Sequence, residues 1–376
     1  MTLKSESELA QFVADTMDPL VIRGGGTRPV GPPMVGDVLS LGGLSGIELY
    51  EPGALTLVAK SGTPLAEVEA ALAAQGQRLA FEPMDHRGLL GTQGTPTIGG
   101  VVATNVSGPR RVQSGACRDY LLGVRFVDGA GSIIKNGGRV MKNVTGYDLV
   151  KLMAGSYGTL GVLSEVSLKV LPQVETAASL MIHGLSDGHA IKALSGALGS
   201  PYEISGASHI GGGPGGAPVT FIRLEGFENS VSYRLGRLQD MLKTYGEVEA
   251  ESNPETVAAQ WRAIRDVEVF HDDPRDVWRL SVKPSDAPGL VARMPAGCSA
   301  VYDWGGGLIW VACAPGMDLR AGLGDFAGHA TLIRASAATR ARISVFHPEP
   351  APIRAITAGL RAKFDPRGIL NPGLMG

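Results

Sequence analysis

Two segments rich in glycine and hydroxyl groups in the first half of the chain have the composition of a site for a phosphorylated ligand. Residues 22–27 read Ile-Arg-Gly-Gly-Gly-Thr, and residues 95–100 read Thr-Pro-Thr-Ile-Gly-Gly. Glycine allows backbone N–H groups to approach a ligand closely, and threonine adds a hydroxyl donor. Successive backbone N–H groups in such a turn can form a cradle for a phosphate. The pair of segments therefore predicts a site for a large, doubly phosphorylated cofactor.

Each segment also has a purely structural interpretation, which the sequence leaves open. A strand that runs into a glycine turn often serves only to reverse the chain, and Thr97 followed by a glycine pair also fits a helix start. The Rossmann interpretation is excluded for the first segment, because Pro29 stands where Gly-x-Gly-x-x-Gly needs its third glycine. The formal match at Gly211, Gly213 and Gly216 leads into a β-rich run rather than a helix, so we reject it as well.

Three arginines and one histidine close to these segments are further candidates. Arg110, Arg111 and Arg118 follow the second segment, where each alone would more often be a surface ion-pair partner than a ligand. Their density beside glycine loops favours a role for the group. His86 precedes the second segment and is either a structural histidine or a residue that faces the cofactor.

The composition of the 376-residue chain excludes several classes of protein. Hydrophobic residues make up 44%, and the formal net charge of −2 argues against a protein held on nucleic acid by phosphate contacts. The seven histidines form no closely spaced pair, so no metal site is predicted. Cys117, Cys298 and Cys313 are scattered without a Cys-x-x-Cys pair, so neither a disulfide framework nor an iron–sulfur cluster is indicated. The sequence shows no signal peptide and no run of about 18 apolar residues, so no transmembrane segment is expected.

The elements that must position these residues change in character near residue 172. Up to that point short apolar strands, helices and irregular glycine loops alternate. All four tryptophans lie beyond residue 260, and residues 173–220 include a loop rich in Gly, Ser and His. A chain of this length usually needs more than one core. We therefore predict an α+β protein with one domain at residues 1–172 and a second at 173–376.

Five short motifs in the first domain resemble, in order and spacing, the PCMH-type FAD-binding domain of the vanillyl-alcohol oxidase superfamily. They lie at residues 22–27, 81–83, 97–100, 115–119 and 158–161. Residues 364–373 resemble the C-terminal hallmark of the 2-hydroxy-acid dehydrogenase branch of this superfamily. Within that branch, the motifs at 108–111, 142–148 and 303–307 are similar to those of the FAD-binding subunits of glycolate-oxidase-type complexes.

The resemblance implies a noncovalently bound FAD. The turn at 23–27 would hold the pyrophosphate, residues 83–84 and 97–100 would line the phosphates and isoalloxazine, and the others would lie along the ribityl and adenine side. Some members attach the flavin to a histidine where this chain has Thr27, so noncovalent binding is expected. The residues implied in FAD binding are Arg23, Gly24, Gly25, Gly26, Thr27, Pro83, Met84, Thr97, Ile98, Gly99, Gly100, Ser107, Gly108, Arg118, Gly161 and Val162.

The same resemblance implies a function, partners and a second domain. The chain would be the FAD-binding subunit of a complex that oxidises glycolate to glyoxylate, with an α+β cap domain that contains an antiparallel sheet and a C-terminal segment that returns to the FAD domain. It would work in the cytoplasm with a catalytic flavoprotein subunit and an iron–sulfur subunit, and would reach the inner membrane only through that complex. Two alternatives stay open: a self-sufficient dehydrogenase of a small 2-hydroxy acid such as lactate, and an assembly subunit in which FAD is structural.

One segment departs from the family pattern. Catalytic members hold the hydroxy acid with a segment of the form His-x-Gly-Asp-Gly-Asn-x-His, whereas the comparable residues 302–310 here contain no histidine. Oxidation needs a base that takes the hydroxyl proton while a hydride goes to the flavin. The sequence names no residue for that role.

Overall fold

The fold is known from a computed structural model, which describes residues 3–139, 146–212 and 216–375. The helices of the first half are α1 (Glu6–Asp15), α2 (Leu65–Ala73), α3 (Arg87–Leu90), α4 (Ile98–Ala103), α5 (Arg111–Ser114) and α6 (Leu149–Met153). Its strands are β1 (Leu20–Arg23), β2 (Asp37–Ser40), β3 (Ile47–Glu51), β4 (Thr56–Lys60), β5 (Gln77–Arg78), β6 (Leu121–Val127), β7 (Ile133–Gly137), β8 (Val162–Lys169) and β9 (Leu171–Pro172). Five of them form an antiparallel sheet in the order β3-β4-β8-β6-β7, β1 and β2 form a parallel pair, and β5 pairs with β9.

The second half contains one large antiparallel sheet. Its strands are β10 (Thr176–His183), β11 (Ile204–Ile210), β12 (Val219–Gly226), β13 (Val248–Glu251), β14 (Asp276–Val282), β15 (Ser299–Asp303), β16 (Leu308–Cys313) and β17 (Gly328–Arg334). They pair in the order β13-β10-β12-β11-β15-β16-β14-β17. The helices are α7 (Asp187–Leu198), α8 (Glu228–Leu242), α9 (Pro254–Asp266), α10 (Ala287–Ala292), α11 (Leu319–Leu323), α12 (Ala337–Arg342) and α13 (Ala351–Phe364).

These elements confirm the predicted α+β class with an antiparallel sheet in the second half. The strands of the first half end at Pro172 and the eight-stranded sheet begins at Thr176. The main cluster of buried apolar side chains nevertheless continues from Leu57 on β4 to Leu332 on β17. The two halves therefore share one core, and the division of the chain at residue 172 stays a prediction.

Residues near the end of the described chain lie against the first strand. Leu20 of β1 forms a bridge with Leu370. The Asn371 side-chain oxygen accepts a hydrogen bond from the backbone N–H of Ile22 at 2.8 Å, and its amide group donates to the Tyr157 carbonyl at 2.8 Å. These contacts place Asn371 beside the glycine turn that follows β1.

A network of buried ion pairs joins the two halves. Glu82, in the loop after β5, accepts two hydrogen bonds from Arg223 of β12, both at 2.9 Å. Arg110 donates to Glu225 at 2.8 and 2.9 Å, and Arg78 donates to the same carboxylate at 3.0 Å. The side chains of Glu82, Arg223 and Glu225 are 10%, 3% and 4% exposed. The network therefore holds the loop at residues 82–84 against the large sheet, and its charged side chains are largely shielded from solvent.

This network should make stability depend on pH below about 4.3, the usual pKa of a glutamate. Burial would raise the pKa of Glu225, but the charges of Arg223, Arg110 and Arg78 outweigh burial and hold it well below its usual value. A carboxyl whose pKa is lowered on folding stabilises the folded state above its unfolded pKa, and this contribution is lost as the pH falls. We expect the difference in free energy of unfolding between wild type and Glu225→Gln to shrink as the pH falls below about 4.

Urea unfolding of both proteins between neutral pH and the acid range measures that difference. The expected curve is flat near neutrality and declines through the acid range, because the wild type alone loses the carboxylate. A difference that stays constant down to the lowest pH at which both proteins fold would contradict the role of Glu225 as an ionised member of the network.

Candidate functional site

A cavity of about 580 Å³ lies where the turn after β1, the start of α4 and the turn at 157–158 meet. The proline-rich segment that follows the turn forms one wall, and Met84, His86, Arg340 and Asn371 complete the lining. A volume of this size is typical of a small-molecule or cofactor site. The walls come from both halves of the chain, so the folded protein as a whole builds the cavity.

Ten of the sixteen residues implied in FAD binding line this cavity. They come from the turn after β1, from the loop after β5, from α4 and its N-cap, and from the start of β8. These ten are Arg23, Gly24, Gly25, Gly26, Thr27, Met84, Thr97, Gly99, Gly100 and Gly161. The structure thus brings both glycine segments to one place, while the individual contacts with FAD stay predictions.

The other six residues lie outside the cavity lining. Ile98 and Val162 are fully buried in the hydrophobic core. Pro83 lines a second cavity, of about 430 Å³, beside the buried ion pairs. The remaining three are Ser107, Gly108 and Arg118.

These last three residues make contacts within the protein. The Ser107 hydroxyl accepts a hydrogen bond from the backbone N–H of Cys117 at 2.9 Å. The Gly108 N–H donates to the Phe81 carbonyl at 2.9 Å, and its carbonyl accepts from the Trp304 indole at 3.0 Å. Arg118 is exposed. Their roles on the ribityl and adenine side of FAD stay predictions.

The turn after β1 carries the free hydrogen-bond donors of the site. Within the described ranges, the four consecutive backbone N–H groups of residues 24–27 have no hydrogen-bond partner. Gly26 has a φ of +69°, a value that favours glycine and lets neighbouring N–H groups point to one side. A row of unpaired N–H groups in a cavity wall attracts an anion, and a pyrophosphate offers enough oxygens to satisfy all of them.

The start of α4 differs from this turn, because its backbone N–H groups already donate hydrogen bonds within the protein. The N–H groups of Ile98 and Gly99 donate to the carbonyls of Thr63 and Ser61 at 3.0 and 2.8 Å. The N–H of Gly100 donates to the hydroxyl of Thr97, the N-cap, at 3.3 Å. The donor that the start of α4 presents to the cavity is therefore the Thr97 hydroxyl, not a set of backbone N–H groups.

The two glycine segments touch each other backbone to backbone. A Cβ on Gly25 would lie 1.5 Å from the Thr95 carbonyl oxygen, and a Cβ on Gly94 would lie 1.7 Å from the Gly25 carbonyl oxygen. A Cβ on Gly24 would lie 2.4 Å from the Thr97 hydroxyl oxygen. Close packing alone thus requires glycine at these positions, and the same packing holds the turn with the unpaired N–H groups in the lining of the cavity.

Ser61 is a cavity residue that the sequence did not single out. It is 1% exposed, and its hydroxyl has no hydrogen-bond partner in the part of the chain that the structure describes. A buried polar group without a partner costs roughly 1–3 kcal/mol, so a ligand that supplies one gains affinity. A Cβ on Gly99 would lie 2.5 Å from the Ser61 Cβ, which explains why α4 can pack over this hydroxyl only with glycine there. The composition around residue 61 carries no signal for this role.

A polar cluster of Arg28, His86 and Tyr157 lines another part of the cavity. Arg28 Nε donates to His86 Nε2 at 3.0 Å, and Arg28 Nη1 donates to the Tyr157 hydroxyl at 3.1 Å. Burial, with the charges of Arg28 and Arg279, holds the pKa of His86 well below its usual value. His86 is therefore neutral, and the lone pair on Nε2 is engaged by Arg28 rather than free to take a proton. His86 does line the cavity, and whether it faces the cofactor stays a prediction.

Several sequence motifs contribute nothing further to this description. Lys142, Asn143, Val144 and Thr145 of the motif at 142–148, and Gly213 of the rejected glycine motif, lie outside the described residues. Within the described residues, no three His, Cys, Asp or Glu side chains are grouped as a metal site would require. No described helix combines the length and apolar character needed to span a bilayer.

Comparison with known proteins identifies the cofactor of the site. Residues 2–137 match the family model described as an FAD binding domain. Glycolate oxidase subunit GlcE of Escherichia coli K12 is 38% identical over 372 residues, which are 98% of this chain and 95% of that protein. Glycolate oxidase subunit GlcD of Bacillus subtilis is 34% identical over 178 residues, and D-lactate dehydrogenase of Archaeoglobus fulgidus is 33% identical over 179. These two matches cover only 46–47% of this chain and 36–38% of those proteins.

A solved structure supports the same fold. Alkyldihydroxyacetonephosphate synthase superposes on 98% of this chain and 76% of its own, with a TM-score of 0.71 and 17% sequence identity. At that identity the likeness concerns the fold alone. It confirms, with the family model, the predicted PCMH-type FAD-binding domain followed by a cap domain with an antiparallel sheet.

FAD is thus the cofactor of this chain, and the cavity fits it. The unpaired N–H groups of residues 24–27 and the buried, unpartnered Ser61 hydroxyl are donors that a phosphorylated, oxygen-rich cofactor would satisfy. The predicted resemblance is confirmed over nearly the whole length of both chains. The chain therefore belongs to the family of glycolate oxidase subunit GlcE, FAD-linked oxidoreductases that begin with a PCMH-type FAD-binding domain.

Proposed function

We propose that this chain is the FAD-carrying subunit of a glycolate-oxidase-type complex and supports the oxidation of glycolate to glyoxylate by flavin-mediated electron transfer. The observation that carries the proposal is the row of unpaired N–H groups at residues 24–27, which faces a cavity in a fold of FAD-linked oxidoreductases. When bound, FAD supplies the hydride and electron transfer that amino-acid side chains cannot perform.

The residues of the chain have separate tasks in this proposal. The N–H groups of residues 24–27 hold the pyrophosphate, since charge-assisted hydrogen bonds to phosphate oxygens are strong. The hydroxyls of Ser61 and Thr97 donate to the cofactor from beside the start of α4, which packs against the turn at residues 24–27. Arg28, held by His86 and Tyr157, keeps a positive charge in the cavity that favours an electron-rich ligand. Thr27 offers no attachment point of the histidine kind, so binding is noncovalent.

The partners are those that a subunit of this kind needs. Electrons that reach the flavin must leave it, and we propose a catalytic flavoprotein subunit and an iron–sulfur subunit as the proteins with which it exchanges them. We propose that the chain is cytoplasmic and reaches the inner membrane through the complex. The names of GlcE and GlcD, each a glycolate oxidase subunit, support an assembly of several chains.

The visible absorption spectrum of the purified chain tests the cofactor, and anaerobic addition of glycolate tests the division of labour. We expect a yellow protein with about one FAD per chain, whose flavin stays oxidised with glycolate alone and bleaches once the partner subunits are added. A folded preparation that stays colourless after soaking in excess FAD would overturn the proposal. Bleaching by glycolate without partners would instead establish a self-sufficient dehydrogenase.

Reconstitution with a redox-altered flavin distinguishes the proposed function from the remaining alternative, an assembly subunit in which FAD is structural. A 5-deaza-FAD keeps the shape of the cofactor but not its one-electron chemistry. If the complex keeps its full activity with this analogue in the present chain, FAD is structural here and the subunit serves assembly. We expect activity to be lost, because the electrons would have no path through this subunit.

A further inference from the structure

Arg279 is a charged residue on the large sheet that the proposed function does not yet use. It lies on β14, paired with Trp310 of β16 on one side and Thr331 of β17 on the other. Its guanidinium lies 5.2 Å from the ring centre of Trp304 and 5.9 Å from that of Trp310. The Trp304 indole donates to the Gly108 carbonyl in the first half of the chain, so Arg279 stands where the sheet meets the FAD-binding domain.

Arg279 forms no ion pair within the part of the chain that the structure describes. Among the described residues its guanidinium makes neither a hydrogen bond nor an ion pair, although the side chain is largely enclosed. Burial, together with the charges of Arg28 and Arg111, lowers its pKa to about 10, although the Asp303 carboxyl acts in the opposite direction. Arg223, on the same sheet, differs because it is paired with Glu82, and Arg275, just before β14, is paired with Asp273. A desolvated, unpaired cation is costly unless an anion binds beside it.

Two further arginines increase the local positive charge. The Arg111 guanidinium, from α5, lies 4.6 Å from the same Trp304 ring, and Arg28 contributes its charge from the cavity wall. None of the three forms an ion pair with a described carboxylate. Asp303 acts on Arg279 from β15, but burial raises the pKa of Asp303 to about 7, and its side chain accepts from the Trp304 N–H at 2.7 Å. The cluster therefore keeps an excess of positive charge.

The cluster adjoins the FAD cavity at its Arg28–His86–Tyr157 side. The charge of Arg279 contributes, after burial and Arg28, to the low pKa of His86, and Tyr157 is among the groups that act on Arg279. His86 and Tyr157 both line the cavity. An anion at Arg279 would consequently lie near the Arg28–His86–Tyr157 side of the cavity, beside the rings of Trp304 and Trp310.

We propose that Arg279, with Arg111 as a second cation at the Trp304 ring, binds the carboxylate of a small 2-hydroxy acid or of its 2-oxo product within this chain. The positive charge and the enclosure of the site favour a small carboxylate as the ligand. That this carboxylate belongs to a hydroxy acid rests on the proposed function. A guanidinium fork matches the two oxygens of a carboxylate. The site lies on β14, outside the segment 302–310 that lacks the histidines of catalytic relatives, so it would orient the acid without depending on that segment.

Calorimetric titration of the FAD-loaded chain with oxalate tests the proposal. Oxalate is a small carboxylate that has no C–H bond and so cannot be oxidised by hydride loss, and neutral oxamide is its uncharged counterpart. We expect saturable binding of oxalate, with a change in the flavin absorbance, and none of oxamide. Arg279→Met should weaken oxalate binding by roughly ten- to hundredfold, the loss expected for a charge-assisted pair, with FAD content unchanged. Arg293→Met, an exposed arginine at the end of α10, is the matched control and should bind like wild type.

The titrations also distinguish failure of the carboxylate site from failure of the proposed function. Wild-type protein that holds FAD but binds no oxalate would remove the site while leaving the proposed function intact. Arg279→Met that binds oxalate within about twofold of wild type, or that loses FAD instead of oxalate, would assign Arg279 to packing or to the cofactor. Should that variant not fold, Arg279→Lys keeps the charge without the fork, and we expect a several-fold loss. A chain that takes up no FAD would overturn the proposed function, and the titration of the same preparation would still decide whether the carboxylate site exists.

Discussion

Gly25→Ala is expected to weaken FAD binding by roughly a hundredfold. The added Cβ would lie 1.5 Å from the carbonyl oxygen of Thr95, so the two glycine segments must move apart. The N–H groups of residues 24–27 would then lose their common direction, and each charge-assisted hydrogen bond lost costs roughly 1.5–3 kcal/mol. Overpacking of this kind also lowers the free energy of unfolding, by about 1–3 kcal/mol. Titration of the apoprotein with FAD, followed by flavin fluorescence, measures the affinity.

Two other glycines provide graded controls for this variant. Gly53→Ala meets no atom within 4 Å and should bind FAD like wild type. Gly26→Ala also meets no atom, but its φ of +69° imposes a strain of roughly 1 kcal/mol, so a small loss is expected. If Gly25→Ala bound FAD as tightly as Gly53→Ala, the contact between the glycine segments would not position the cofactor, and the proposed pyrophosphate cradle would be wrong.

Glu82→Gln is expected to lower the free energy of unfolding by about 3–5 kcal/mol, the cost of removing one partner from a buried ion pair. The Arg223 guanidinium would face an amide in place of the carboxylate that it contacts at two points, and its side chain is 3% exposed, so water cannot replace the lost charge. Glu82 has a φ of +49°, and glutamine suffers the same backbone strain, so the change isolates the charge. Urea unfolding measures the loss.

The matched control is an exposed ion pair in the same protein. Glu48 lies 2.8 Å from Lys60, and the two side chains are 42% and 37% exposed. Because solvent screens such a pair, Glu48→Gln should cost at most about 1 kcal/mol. Equal losses in the two variants would show that the buried network contributes no more to stability than an exposed ion pair does. FAD retention is a second readout, since Met84, two residues from Glu82, lines the cavity.

The sequence predicted the parts of the site that depend on local chemistry. The glycine turn after β1 and the N-cap of α4 are written in consecutive residues, and both line the cavity. Gly108 shows the limit of this approach. A Cβ there would lie 2.2 Å from the Glu82 carbonyl oxygen, so glycine is required by packing. A glycine kept for packing and one kept for a ligand look the same in a sequence.

The contacts that no local pattern could predict join residues far apart in the chain. Arg223 and Glu82 are separated by 141 positions, and each looks like an ordinary surface charge until the fold brings them together. Ser61 became notable only because its hydroxyl is buried without a partner. Arg279 likewise stands in an unremarkable strand, and what distinguishes it is that its guanidinium forms no ion pair with any residue that the structure describes. Burial and pairing are properties of the folded molecule, so the structure was needed to find them.

The bond between Asn371 and Ile22 carries a consequence for biosynthesis. The two residues are 349 positions apart, and Asn371 is part of the cavity wall. At roughly 5–20 residues per second, a ribosome needs on the order of 20–70 s to travel from one to the other. The glycine turn is therefore made long before the wall that closes around it. A chain truncated before residue 371 would lack part of the cavity wall, so we expect it to hold FAD more weakly.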